Sequence, residues 1–227
     1  MIPLKDDNPT KTFPFVTIIL IAINAVVFLY QLSLGDVKGK AFVFTYGAIP
    51  YELMNSINLP LTPYIPNTVT VFTSMFLHGG FFHLAGNMLY LWIFGNNIED
   101  SMGHIKFIVF YLICGIAAVF AHTIVNPGSK LPMIGASGAI AGVLGAYILL
   151  FPRARVLTLV PIVFFIRIIE IPALIIIGFW IVIQFLSGAM SASVAGGGIA
   201  YFAHIGGFLS GFVLIGLFKK RGVRFFK

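Results

Sequence analysis

The chain has 227 residues, 59% of them hydrophobic and 9% charged, with 14 Lys and Arg against 7 Asp and Glu. Soluble domains run at roughly 45–50% apolar and about 25% charged, so this composition excludes a soluble globular protein. The single cysteine, Cys114, sits inside an apolar run, which excludes a disulfide framework and a thiolate metal site.

Apolar runs fall at about 13–34, 75–98, 105–125, 133–151, 157–187 and 199–218. A helix needs about 20 such residues to cross a bilayer, so each run is expected to supply one span. The first run is too long, and too well followed by others, for a cleaved signal peptide. The fifth is too long for one span and is interrupted by Pro161, Arg167, Glu170 and Pro172. Its second half, about 172–187, is the better span. Residues 157–170 are expected at the membrane interface, with Arg167 and Glu170 near the headgroups. The expected fold is all-α: a polytopic, six-helix membrane bundle over 13–218, a short N-terminal tail at 1–12 and a basic tail at 219–227.

Six helices place both termini on one side. That side holds Lys5, Lys11, Lys106, Arg153, Arg155, Arg167, Lys219, Lys220, Arg221, Arg224 and Lys227, and the other keeps Lys38, Lys40 and Lys130. The asymmetry predicts cytoplasmic termini. The net charge of +7 is therefore topological and needs no nucleic-acid partner.

The second, fourth and sixth predicted helices then run from outside to inside, and each carries unusual polar residues near its outer end. The second opens with "HGGFFHLAGN", which places His78, His83 and Asn87; His83 and Asn87 share one face, one turn apart. The fourth opens with Ser137 and the sixth carries His204. Ionisable groups in spans are rare and usually mark function. Ser137, Ala141 and Gly145 form a small-residue stripe, bordered by Gly138 and Gly142, and Ala203, Gly207 and Gly211 form another. Such stripes allow close helix packing, which would bring Ser137 and His204 together as a nucleophile and its base. Asn87, His83 and the free N–H groups at the start of the fourth helix are candidate oxyanion donors. Each residue also has a plainer reading: a serine at a helix start as a cap, a histidine in a span as a packed polar group, glycine stripes as packing devices.

Together "GASG", "HLAGN" and "AHIGGFLSG" resemble the motifs of the rhomboid family of intramembrane serine proteases. The resemblance covers nearly the whole chain, from about 13 to 218. It implies Ser137 as nucleophile and His204 as general base and acid, a dyad without a carboxylate. Asn87, His83 and the Ser137 backbone N–H would form the oxyanion hole. Gly135 would permit the tight backbone before the serine, and Gly207 and Gly211 the close packing of the last helix. Glu99 and His78 would be structural. Neither a cofactor nor a metal is implied, and the implied partners are single-pass or multi-pass transmembrane substrates within the lipid bilayer.

Two features depart from the family pattern. Residues 35–74 contain neither Trp nor Arg, where many members carry a Trp-Arg pair. Ala141 stands where some members place a tyrosine against the base, so another group must orient His204, with Tyr201, Tyr147 or a group on the second helix as candidates. The stretch 55–68 reads as an outer loop partly embedded beside the site, and Gly196-Gly197-Gly198 as a mobile cap over it. The expected reaction is hydrolysis of a peptide bond near the outer membrane boundary, in a prokaryotic inner (plasma) membrane. A small transporter or channel is the competing reading, but the chain lacks internal symmetry between halves. A non-catalytic client-binding relative is the other, but such relatives usually lack the serine or the histidine. "HExxH" is absent, and no Asp falls within a predicted span, which removes zinc and aspartyl chemistries.

Overall fold

The computed structural model describes residues 1–57, 59, 65–162, 165–191 and 200–227. The protein is mostly helical, and among the described residues four helices are long and apolar enough to cross a membrane: α1 (Phe15–Ser33), α7 (His104–Val125), α9 (Ala173–Ser191) and α10 (Tyr201–Phe218). It is an integral, multi-pass membrane protein. Between α1 and α7 lie α2 (Gly35–Tyr46), α3 (Pro50–Asn55) and α4 (Asn67–Thr73), a 3₁₀ turn at Ser74–Phe76, then α5 (Phe81–Tyr90) and α6 (Asn96–Met102). A π-type turn, Leu91–Gly95, joins α5 and α6 into one continuous helical segment. α8 (Ser137–Leu150) is apolar but has only 14 residues.

α8 is the hub of the bundle. Eleven of its residues are buried, from Gly138 through Leu150, as expected of a helix apolar on every side. Its main partner is α10, and the two backbones nearly touch. A Cβ added at Gly207 would lie 2.0 Å from the Gly138 carbonyl oxygen, and one at Gly211 would lie 1.9 Å from that of Gly142. Gly145 faces the Phe208 carbonyl at 2.2 Å in the same sense. No side chain fits at Gly145, Gly207 or Gly211, so the small-residue stripes set the helix spacing.

Glu99 fastens α1 to α6. Its carboxylate is fully buried and accepts the N–H groups of Val16 (2.9 Å) and Thr17 (2.8 Å) and the Thr17 hydroxyl (2.7 Å). The His104 Nδ1 contacts Oε1, the oxygen that also accepts the Val16 N–H, at 2.5 Å. Val16 and Thr17 lie in the first turn of α1, where N–H groups have no intrahelical acceptor; a carboxylate there also meets the positive end of the helix dipole.

The expectation of an all-α chain needs correction. β2 (Arg155–Ile162) and β3 (Phe165–Pro172) pair as strands, and β1 (Ile2–Asp6), within the expected tail, pairs with β2. The sheet is antiparallel in the order β1-β2-β3, with Asp6 opposite Val156 and Val156 opposite Ile171. Pro3, Asp6, Val156 and Thr158 are buried on one face. The physical reason is composition: "RVLTLVPI" and "FIRIIEIP" are rich in β-branched residues, and short apolar runs do not separate strand from helix by periodicity. Arg167 and Glu170 lie on β3, where Glu170 reaches Arg155 at 3.5 Å, an exposed pair of little energetic weight.

The sheet sits at the end of the bundle where α8 finishes. The Tyr147 hydroxyl of α8 donates to Asp6 Oδ2 at 2.6 Å. The C-terminal tail closes the same end, with the Phe226 and Lys227 N–H groups donating to the Leu149 and Leu150 carbonyls. Lys220 N–H donates to the Ser101 carbonyl there as well.

Candidate active site

α8 begins at Ser137, so the serine is its first helical residue and its N–H has no i−4 carbonyl to bond. The approach to it is held rigidly. Ala48 and Met133 exchange both backbone hydrogen bonds, at 3.1 and 2.8 Å, and the Gly135 N–H donates to the Ser74 carbonyl at 2.9 Å. Gly135 adopts φ +122°, a conformation that favours glycine. A Cβ there would also lie 2.7 Å from His83 Nε2 and 3.7 Å from Asn87 Nδ2. The bare glycine thus leaves room for those two side chains just before the serine.

α10 brings His204 to α8 along the glycine contact. His204 Nε2 lies 2.7 Å from Ser137 Oγ, and its Nδ1 lies 2.7 Å from Gln184 Oε1 on α9. The Trp180 ring packs against the imidazole, with centroids 5.7 Å apart and planes 37° from parallel. Gln184 was not among the expected residues. Its signal in the sequence is that it is the only amide or charged side chain in the apolar run 173–191, and a lone amide in a span is commonly just a packed polar group. The candidates named for orienting His204 are not its partners: Tyr147 lies at the far end of α8, bonded to Asp6.

α5 supplies the facing wall. His83 Nδ1 accepts the Gly79 N–H at 3.3 Å, which assigns its proton to Nε2, the nitrogen beside Gly135. Asn87 is buried, and its Nδ2 has no hydrogen-bond partner among the described residues. Buried amides are normally paired, so this free donor needs a reason. His78 is buried behind His83, their rings in edge contact at 5.1 Å. Gln31 of α1 grips the His78 backbone by accepting its N–H and donating to its carbonyl, both at 3.1 Å. Gly196-Gly197-Gly198 lies outside the described residues, as do 58 and 60–64 of the 55–68 stretch.

Ser137, His204, His83, Asn87 and Trp180 line a cavity of about 650 Å³, whose walls also include Tyr90 and Ile140. It is an apolar chamber with a few convergent polar groups, the usual character of a binding site. Among the described residues no cluster of His, Cys, Asp or Glu is placed to hold a metal.

The model of the rhomboid domain matches residues 66–221, which include every one of these groups. The chain belongs to the rhomboid family. It is similar to "Rhomboid protein 1, mitochondrial" of Saccharomyces cerevisiae, 32% identical over 168 residues, which is 70% of this chain and 44% of that one. It is similar to "RHOMBOID-like protein 1" of Arabidopsis thaliana, 29% identical over 167 residues, 74% of this chain and 39% of the other. "Rhomboid protease GluP" of Bacillus subtilis is 30% identical over 142 residues, 63% of this chain and 25% of its own length. The chain thus spans less than half the length of these rhomboid relatives. Because a mitochondrial protein stands among them beside a bacterial one, they give no support to a prokaryotic inner membrane in particular.

Proposed function

We propose that this protein is an intramembrane serine endopeptidase that hydrolyses peptide bonds in transmembrane substrates. The carrying observation is the 2.7 Å contact of Ser137 Oγ with His204 Nε2 at a cavity bounded by unspent hydrogen-bond donors. His204 Nε2 takes the Ser137 proton as Oγ attacks the scissile carbonyl carbon, and the carbonyl oxygen becomes an oxyanion. Asn87 Nδ2, His83 Nε2–H and the Ser137 N–H are the proposed donors to that oxygen, with the N-terminal dipole of α8 adding to them. The C–N bond then breaks as His204 returns its proton to the leaving nitrogen. In the second half, His204 takes a proton from water, the hydroxide oxygen bonds the acyl carbon, and the ester bond to Oγ breaks as Oγ regains a proton.

Depth follows from length. At 1.5 Å per residue, a 14-residue α8 covers about 21 Å, against about 30 Å of hydrocarbon. With its Leu150 end fixed at the basic side by the C-terminal tail, Ser137 stops short of the opposite boundary, in the outer half of the membrane. We assign six spans to one membrane domain, 13–218, by adding α8 and the α5–α6 segment to the four long helices. The end with eleven of the fourteen basic residues is assigned to the cytoplasmic side.

A fluorophosphonate probe tests the reading. The purified protein is expected to be labelled, Ser137→Ala to be unlabelled, and His204→Ala to be labelled at least about 100-fold more slowly. Equal labelling of wild type and Ser137→Ala would overturn it.

A further inference from the structure

Gln184 of α9 reaches His204 from a buried position. Its Oε1 lies 2.7 Å from His204 Nδ1, while its Nε2 turns back toward the Trp180 carbonyl at 3.4 Å. Only one assignment of the amide satisfies both contacts. With the NH₂ group on the Trp180 carbonyl, Oε1 must accept, so His204 Nδ1 must carry the hydrogen. The reversed amide would set oxygen against the Trp180 carbonyl oxygen and demand an unprotonated Nδ1. That would leave Nε2–H, and no lone pair, facing Ser137.

We propose that Gln184 is a positioning residue that acts through His204: it fixes the tautomer whose Nε2 lone pair points at the Ser137 hydroxyl. Trp180, one turn earlier on α9, closes the same grip by holding the plane of the ring. This rests on the serine–histidine reading and deepens it, since the dyad then has a neutral third member. A carboxylate in this place would orient the ring and also stabilise the imidazolium by charge. An amide orients the ring and contributes only a dipole to the cation formed during attack. The ionisable side chains that act on His204 are His83 of α5 and His122 of α7, so the base works with no anion beside it among the described residues.

The test follows fluorophosphonate labelling rate and reporter cleavage against pH, with melting temperature in detergent, for Gln184→Met and Gln184→Glu. Gln184→Met keeps the length and loses the acceptor. It is expected to label roughly 10- to 100-fold more slowly, with kcat reduced and KM held; that is less than the about 10⁴-fold lost when a triad carboxylate is replaced. Gln184→Glu restores an acceptor and adds charge. Its labelling is expected to recover above that of Gln184→Met, with the acid limb of the pH profile displaced upward by about one unit. A folded Gln184→Met that labels within about threefold of wild type would overturn the proposal. So would a folded Gln184→Glu whose acid limb superposes on that of wild type, and this variant decides alone if Gln184→Met does not fold. Wild type that fails to label, or that labels no faster than Ser137→Ala, instead sinks the serine–histidine reading.

Discussion

Asn87 presents its amide nitrogen to the cavity one turn below His83, buried and with no acceptor among the described residues. Leaving a donor unpaired in a desolvated place costs about 1–3 kcal/mol, a cost an oxyanion would offset in the transition state. Asn87→Ala is therefore expected to melt within a few degrees of wild type while cleavage of a transmembrane reporter falls about 100- to 1,000-fold; unchanged turnover would remove Asn87 from the site. Ser137, His204, His83 and Asn87 were legible as residues because each is a polar exception in an apolar run. Gln184 is the same kind of exception, but nothing in its spacing distinguishes a partner of His204 from a satisfied core amide. Tyr147 shows the converse: it read as a candidate for orienting His204 and is bound to Asp6 instead.

Among elements, the α8–α10 pair does most to form the site, and its logic is steric. Every would-be Cβ along Gly207 and Gly211 meets backbone of α8, not a side chain that can swing away. Gly211→Ala must push the helices apart, and overpacking of this kind costs about 1–3 kcal/mol or more. The expected result is a lower melting temperature in detergent, with reporter cleavage lost in parallel as His204 retreats from Ser137; a melting temperature equal to wild type would show that the contact is slack. The stripes on both helices were legible because small residues recur with helical spacing. The π-type turn at 91–95, where Thr17 of α1 lies against Gly95, left no such mark in the sequence. The β2–β3 hairpin was read as interfacial chain because its apolar residues lack any clear period.

At the scale of the molecule, the end opposite the site is a clasp of sheet, tails and helix ends, and Asp6 is its buried anion. Burial lifts the Asp6 carboxyl from 3.8 to about 6, against the pull of the Tyr147 hydroxyl bond. The folded-state value lies above the unfolded one, so this group's contribution to stability is full below about pH 4 and is lost as pH rises through about 6. Asp6→Asn keeps an acceptor for Tyr147 and cannot ionise. It is expected to melt higher than wild type at about pH 8, with the gain shrinking toward about pH 5. A lower melting temperature at the alkaline end would mean that the ionised bond to Tyr147 outweighs the cost of burying the charge.

The sequence by itself determined the membrane setting, the approach of two glycine-lined helices and the four polar residues, Ser137, His204, His83 and Asn87, that α8, α10 and α5 carry. These are written in composition and period, which act locally along one chain. Tertiary structure alone decided that Gln184 meets His204, that Tyr147 anchors the N-terminal strand, and that Arg155–Ile162 and Phe165–Pro172 pair in a sheet. The physical reason is that each of these is a pairing of groups distant in sequence. A hydrogen bond or a strand register depends on where two backbones come to rest, and the glycine contact between α8 and α10 sets that for the site.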